Sequence, residues 1–111
     1  MPGGSVDWES ETDPGQVATE CPIGDLSRGG VRFHTPGPPR AGTRVRLTLH
    51  VPGESDALEL RGSVVWTLVS SGQMYDMAVG FSPYGATPGE NPPTALERLA
   101  AIEERFLAKA P

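Results

Sequence analysis

The chain has 111 residues, one domain's worth, with 37% hydrophobic residues, 14 glycines and 12 prolines. That turn-rich composition favours short strands over a helical bundle. The formal net charge of -5 argues against nonspecific nucleic-acid binding, which needs a surplus of Lys and Arg on one face. One cysteine, Cys21, beside His34 and His50 offers no metal-ligand spacing and no internal disulfide, so no metal and no cofactor are expected.

In chain order, residues 1–15 are Gly-, Ser-, Pro- and acid-rich and read as a flexible acidic arm, with Trp8 an isolated aromatic docked locally on the body. The start is neither a secretory signal nor a membrane span, which makes the cytoplasm the default location and membrane insertion unexpected. Residues 16–21 read as a first strand with Val17, Thr19 and Cys21 on one side, broken by Pro22. Residues 30–35 form a second, after a glycine turn. Residues 43–51 alternate most clearly: Val45, Leu47, Leu49 and Val51 face one way, Arg44, Arg46, Thr48 and His50 the other. Residues 57–68 repeat the pattern with Leu58, Leu60, Val64 and Trp66 inward, Gly62 marking a bend and Glu59 within reach of an arginine on the neighbouring strand. In residues 74–82 a bulky row, Tyr75, Met77, Val79 and Phe81, backs onto the small row Asp76, Ala78 and Gly80, as in a tightly curved sheet or one that lies against something.

A linker then leads to a helix at about 92–109, whose stripe is Leu96, Leu99, Ile102, Phe106 and Leu107. Thr94 with Glu97 reads as its capping box, Asn91 as a rival start, and Lys109 as favourable at the negative end of the dipole. The stripe is read as packing on the barrel, although cis packing and a homodimer both remain open. The predicted fold is mainly β, a small antiparallel barrel with one C-terminal α-helix, and its domain spans residues 16–111.

The stretch "GDLSRGGVRF" at residues 24–33 carries the pattern DxSxxG in Asp25, Ser27 and Gly30. It resembles the second signature of the PilZ family of bacterial cyclic di-GMP receptors. "PRAGTRVRLTL", "LRGSVVW" and "MAVGF" follow in the order of a PilZ barrel, so that the resemblance covers residues 16–107. It implies a bacterial signalling protein tied to motility or surface behaviour, with no catalytic residues. It also implies a ligand site at Asp25, Ser27 and Gly30, to which an unusual receptor would add the nearby Arg28 and Arg32. The chain departs from the family in one respect: the RxxxR arm that holds cyclic di-GMP has no counterpart in residues 1–15, which contain neither Arg nor Lys. Two lost charged hydrogen-bonding contacts, at about 1.5–3 kcal/mol each, amount to roughly 3–6 kcal/mol. That is on the order of a hundredfold to ten-thousandfold in affinity. Arg28 and Arg32 repeat the RxxxR spacing, but within and after the turn.

Asp25 and Ser27 capping the turn, with Gly29 and Gly30 supplying positive φ, explain the pattern without any ligand. Three functions follow. The first is a degenerate PilZ adaptor acting on an unidentified protein partner in a signalling or motility system, with Arg44, Arg46 and His50 as partner surface and cyclic di-GMP bound weakly or not at all. The second is a genuine cyclic di-GMP receptor using the turn with Arg28 and Arg32. The third is a small-barrel nucleic-acid binder, disfavoured by the net charge and by the lack of an exposed aromatic row.

Overall fold

The structure is a computed structural model that describes residues 3–108, with side chains through Arg105. Six strands, β1 (Ser5–Ser10), β2 (Val17–Leu26), β3 (Gly30–Pro36), β4 (Arg44–His50), β5 (Leu58–Ser71) and β6 (Met74–Phe81), close into an antiparallel barrel in the order β1-β2-β3-β6-β5-β4. Helix α1 (Pro93–Ala108) follows. Among the described residues no helix is long and apolar enough to cross a membrane.

The acidic segment expected to be a flexible arm contains the strand that closes the barrel. Strand β1 pairs with β2 on one side and with β4 on the other, from Ser5 opposite His50 to Ser10 opposite Val45. The alternation of Val6 and Trp8 with Asp7 and Glu9 is a short period-two pattern, which acid content obscured. Trp8 is only 2% exposed. Its indole Nε1 donates to Thr35 Oγ1 at 2.9 Å, and that hydroxyl donates to the Pro36 carbonyl, so the polar atoms under the core's largest ring are satisfied.

Strand β2 also departs from expectation, running through Pro22 rather than ending there. Pairing with β3 begins only at Ile23, so the missing proline N–H leaves no gap in that ladder. Of the three residues expected on one side, only Cys21 is buried; Val17 is 52% exposed. A register shift opposite Val6 and Trp8, with Glu20 at φ 54°, resets the alternation between them.

In β5 a second bulge moves Trp66 to the outer surface. Val64 stands opposite Val79, the next paired residue is Trp66 opposite Ala78, and Val65 between them has no partner. Trp66 is therefore 39% exposed rather than part of the core. Glu59 lies opposite Thr48, while Arg46 faces Arg61.

Helix α1 adds Ala95, Leu99 and Ile102 to the buried cluster that includes Val51 and Leu58. Its first residue is Pro93, so Thr94 lies inside the helix and does not cap it, and the Asn91 side chain is committed to β5. Arg98 and Arg105 both reach Glu54, at 3.4 and 3.0 Å, which ties the helix to the loop between β4 and β5. The Phe106 and Leu107 side chains, and Lys109, lie outside the described residues.

Where β3, β6 and β5 cross, the wall has no room for side chains. A Cβ on Gly30 would run into the Val79 carbonyl oxygen, and one on Gly62 into the Gly80 carbonyl oxygen and, at 2.7 Å, Val79 Cγ1. Neither Gly29 nor Gly30 has positive φ, contrary to the expectation for the turn. Gly30 is required by close approach, not by backbone conformation.

Gly30→Ala and Gly62→Ala should each cost about 1–3 kcal/mol by overpacking. Gly29→Ala, whose nearest neighbour is the Ser27 hydroxyl at 3.9 Å, should stay within about 0.5 kcal/mol. Trp8→Ala should cost about 3–5 kcal/mol. Urea denaturation checks all four, and a stable Trp8→Ala barrel would return residues 1–15 to the status of an arm.

Candidate functional site

The outer faces of β2, β3, β6 and β5 carry a continuous shelf built from rows of paired residues. One row runs Asp25, Arg32, Ala78 and Trp66 across the four strands. The row beside it is Gly30, Gly80 and Ser63, and on the other side lie His34, Asp76 and Leu68. Its floor is thus Ala78 and two glycines, while Trp66 and Arg32 stand as walls. Val65 leans over Gly80, its Cγ2 3.3 Å from where a Cβ would stand. A depression of about 590 Å³ follows this floor, bordered by Asp25, Ser27 and Gly29. An indole and a guanidinium flanking a level floor make a platform on which a planar ring stacks.

Of the sequence-predicted site residues, Asp25, Ser27, Gly30 and Arg32 line this depression and Arg28 does not. Ser27 folds the turn: its backbone N–H donates to the Gly30 carbonyl at 2.9 Å and its Oγ accepts from Gly29 N–H at 3.2 Å. Asp25 does not cap the turn as expected. Instead its Oδ2 takes two hydrogen bonds from Arg32, from Nε at 3.0 Å and Nη2 at 2.6 Å. This pairing raises the Arg32 pKa above its ordinary value, the hydrogen bond from Asp25 being the largest cause. Arg28 points away from the shelf: its Nε donates to Glu103 of α1 at 3.2 Å, while its carbonyl accepts from the Tyr84 hydroxyl at 2.8 Å. Burial pushes the Tyr84 hydroxyl pKa up.

Asp76 lies beneath the shelf's edge, with its Oδ1 2.7 Å from His34 Nδ1 and 3.8 Å from Arg32 Nη1. That oxygen is buried and neither contact has hydrogen-bond alignment. It adds a second negative charge to the surroundings of Arg32.

On the barrel's far side Arg44, Arg46 and His50 are exposed on β4, facing Asp7 of β1 and Glu11 just beyond its end. Arg44 Nε donates to Glu11 at 3.0 Å, and Arg46 and Arg61 approach the same carboxylate at 3.9 Å. His50 Nε2 lies 3.1 Å from Asp7, which also accepts the Glu20 backbone N–H at 2.8 Å. That backbone bond is the main reason the Asp7 pKa is lowered, with His50 adding to it against the opposing effect of burial. A groove of about 830 Å³ lies nearby, lined by Asp7, Glu9, Glu59 and Glu90 as well as Arg46 and Arg61. Its acids outnumber its cations, so an anionic ligand gains less there than on the shelf, although the groove is larger.

Sequence reasoning missed three residues that shape these surfaces. Val65 and Trp66 were hidden by the bulge, for which the signal was the unbroken apolar run after Gly62. Asn91, placed in a linker, is 1% exposed and clamps that segment to the barrel. Its Oδ1 accepts from Arg61 N–H at 2.7 Å, and its Nδ2 donates to the Arg61 and Ser82 carbonyls, each at 3.0 Å. Cys21 is buried, and burial raises its pKa, which suppresses thiolate chemistry. Among the described residues no group of three or more His, Cys, Asp or Glu could hold a metal ion.

Asn91→Ala removes three side-chain hydrogen bonds and should cost about 2–4 kcal/mol, read as a lowered denaturation midpoint. Asp7 has its pKa depressed on folding, so its stabilisation is present above the unfolded aspartate pKa and is lost as pH falls through the folded value. Stability measured from about pH 6 to pH 3 should therefore fall less steeply in Asp7→Asn, whose amide oxygen still accepts the Glu20 N–H. An unchanged acid slope would remove Asp7 from the titration.

A search of curated proteins finds no significant match to the chain. Among solved structures, the chain is similar to the Bacillus subtilis inhibitor of motility MotI/DgrA, with a TM-score of 0.68 and 17% sequence identity. That similarity covers 97% of this chain and 49% of the other, so the chain spans about half the length of its structural relative. The family profile described as PilZ domain matches residues 5–91, from the strand that closes the barrel to the asparagine that clamps its last loop. The chain belongs to the PilZ domain family.

Proposed function

We propose that the chain is a PilZ-type signalling adaptor in cyclic di-GMP-linked control of motility, acting in the cytoplasm through contacts with a protein partner and binding the nucleotide weakly or not at all. PilZ proteins are binding and adaptor domains rather than enzymes. A motility output is supported by the name of the structural relative, an inhibitor of motility.

One observation carries the weak-binding part: both cations of the DxSxxG turn are already held by carboxylates of the same chain. Arg32 is held by Asp25 at 2.6 Å and Arg28 by Glu103 at 3.2 Å. A phosphate would have to displace an existing partner at each one, and the gain from exchanging one anion for another is small. Exposed Arg44, Arg46 and His50 are the proposed protein-facing surface. The arginine charges are offset by Glu11 and His50 is paired with Asp7, so recognition there rests on shape and hydrogen bonding more than on net charge. The same offset weakens the nucleic-acid reading.

The shelf favours a second reading, a genuine receptor for cyclic di-GMP. Trp66 and Arg32 flank a floor of Ala78, Gly80 and Gly30, on which a guanine could stack, with Asp25, Ser27, Gly30 and Arg32 as the contacts; Arg28 would first have to leave Glu103 to join them.

Calorimetry with cyclic di-GMP up to several hundred micromolar separates the two readings, a range set by the affinity loss expected above. The adaptor reading expects no saturable heat and unchanged Trp fluorescence. Low-micromolar binding that quenches Trp66, and that Arg32→Ala abolishes, would overturn it in favour of the receptor.

A further inference from the structure

A closed barrel has no free strand edges, yet this one has a long one, because β5 outruns its neighbour. The last β4 pair is Arg44 with Ser63, and the bonds of Val64 to Gly42 and Thr43 complete that side. On its other side β5 stays paired with β6 as far as Ser71 opposite Met74. Residues 65–71 therefore present an open edge of about 20 Å at the usual rise per residue. No strand among the described residues pairs with it.

Irregularities at Val65 and Ser70 interrupt this edge, but it has neither charge nor proline to blunt it. From Gly62 to Tyr75 the sequence contains no charged residue and no proline. Its side chains are apolar and exposed: Val65 57%, Trp66 39%, Leu68 62% and Val69 69%. An edge of this kind is an aggregation site unless something covers it.

We infer that the covering partner is a second copy of this chain, joined by antiparallel pairing of β5 with β5 about a twofold axis through Thr67. Two observations select a second copy over a foreign strand. First, the segment Val65-Trp66-Thr67-Leu68-Val69 is nearly palindromic in side-chain class. Antiparallel pairing of identical strands centred on Thr67 sets Trp66 against Leu68 and Thr67 against its own copy, with Val65 and Val69 flanking these pairs. Aromatic–aliphatic and Thr–Thr partners are among those that stabilise cross-strand neighbours. Shifting the centre to Trp66 or to Leu68 instead sets an apolar side chain against Thr67 or Ser70. Second, two chains of net charge -5 repel, and this edge is a surface on which neither copy presents a charge. A ribbon of about five residues per copy falls below the roughly 1,200 Å² at which stable specific interfaces begin, which implies a dimer that exchanges with monomer.

Sedimentation equilibrium of the full chain from about 5 to 500 μM tests this, the range expected of a weak isologous contact. The mass should rise from one chain toward two. Leu68→Lys and Val69→Lys, at exposed positions, should remain monomeric throughout while keeping the wild-type melting temperature. Thr67→Cys should form an oxidised, disulfide-linked dimer, since Cα atoms at a directly opposed pair lie within bridging distance. Ser55→Cys, remote from the edge, should not, and Cys21 is buried in both variants. A wild-type chain that stays monomeric at all concentrations overturns the proposal and leaves the edge to a foreign strand. A dimer that survives Leu68→Lys and leaves Thr67→Cys uncrosslinked also overturns it, by placing the contact on another face.

Discussion

The closeness of three backbones governs both the fold and the site. Where β3, β6 and β5 pass one another, Gly30 and Gly62 lie against the carbonyls of Val79 and Gly80 at a separation no Cβ tolerates. Six strands can close a small barrel only with strong coiling, and coiling is easiest where side chains are missing. The same absence levels the outer surface into a shelf. A family signature can therefore persist for packing alone: Gly30 of DxSxxG answers first to the barrel wall and only then to a ligand.

Charge on this molecule is largely spent internally. Asp25 takes Arg32, Glu103 takes Arg28, Glu11 stands among Arg44, Arg46 and Arg61, and Glu54 takes Arg98 and Arg105. Each pair is exposed or half-exposed and adds little stability. Together they engage every described arginine except Arg40, in the loop between β3 and β4. Apart from these pairs, the surface beside the shelf is apolar: the indole of Trp66, Val65 above the floor, and the exposed Leu68 and Val69 beyond it.

Legibility in the sequence followed the regularity of the backbone. Strand β4 was read residue by residue because its Val and Leu alternate with polar groups without interruption, and β6 likewise through Met77 and Val79. The one-helix, mainly β barrel and the DxSxxG turn were also legible. Bulges defeated the rest. One at Val65 reversed Trp66, and the irregularity at Glu20 reset β2, because a single unpaired residue inverts every later inside–outside assignment. Strand β1 was lost for another reason. Its wet positions carry acids, so composition resembled a disordered arm, while its buried positions, Val6 and Trp8, were too few to announce a period. Asn91 was illegible in principle, since a buried amide clamp depends on which carbonyls the fold brings to it.

That β1 completes the ring has a kinetic side. One of its neighbours, β2, is close in sequence, but the other, β4, pairs Leu47 and Leu49 with Trp8 and Val6 across most of the first half of the chain. Closing so long a loop costs entropy before the contacts return it, and topologies rich in such pairings fold slowly. During synthesis β1 is made well before β4, and until Arg44–His50 exists the Trp8 ring has no second wall to enter. Order of translation and order of assembly are thus uncoupled in this barrel: β1 must wait, apolar face uncovered, for a strand still to be made.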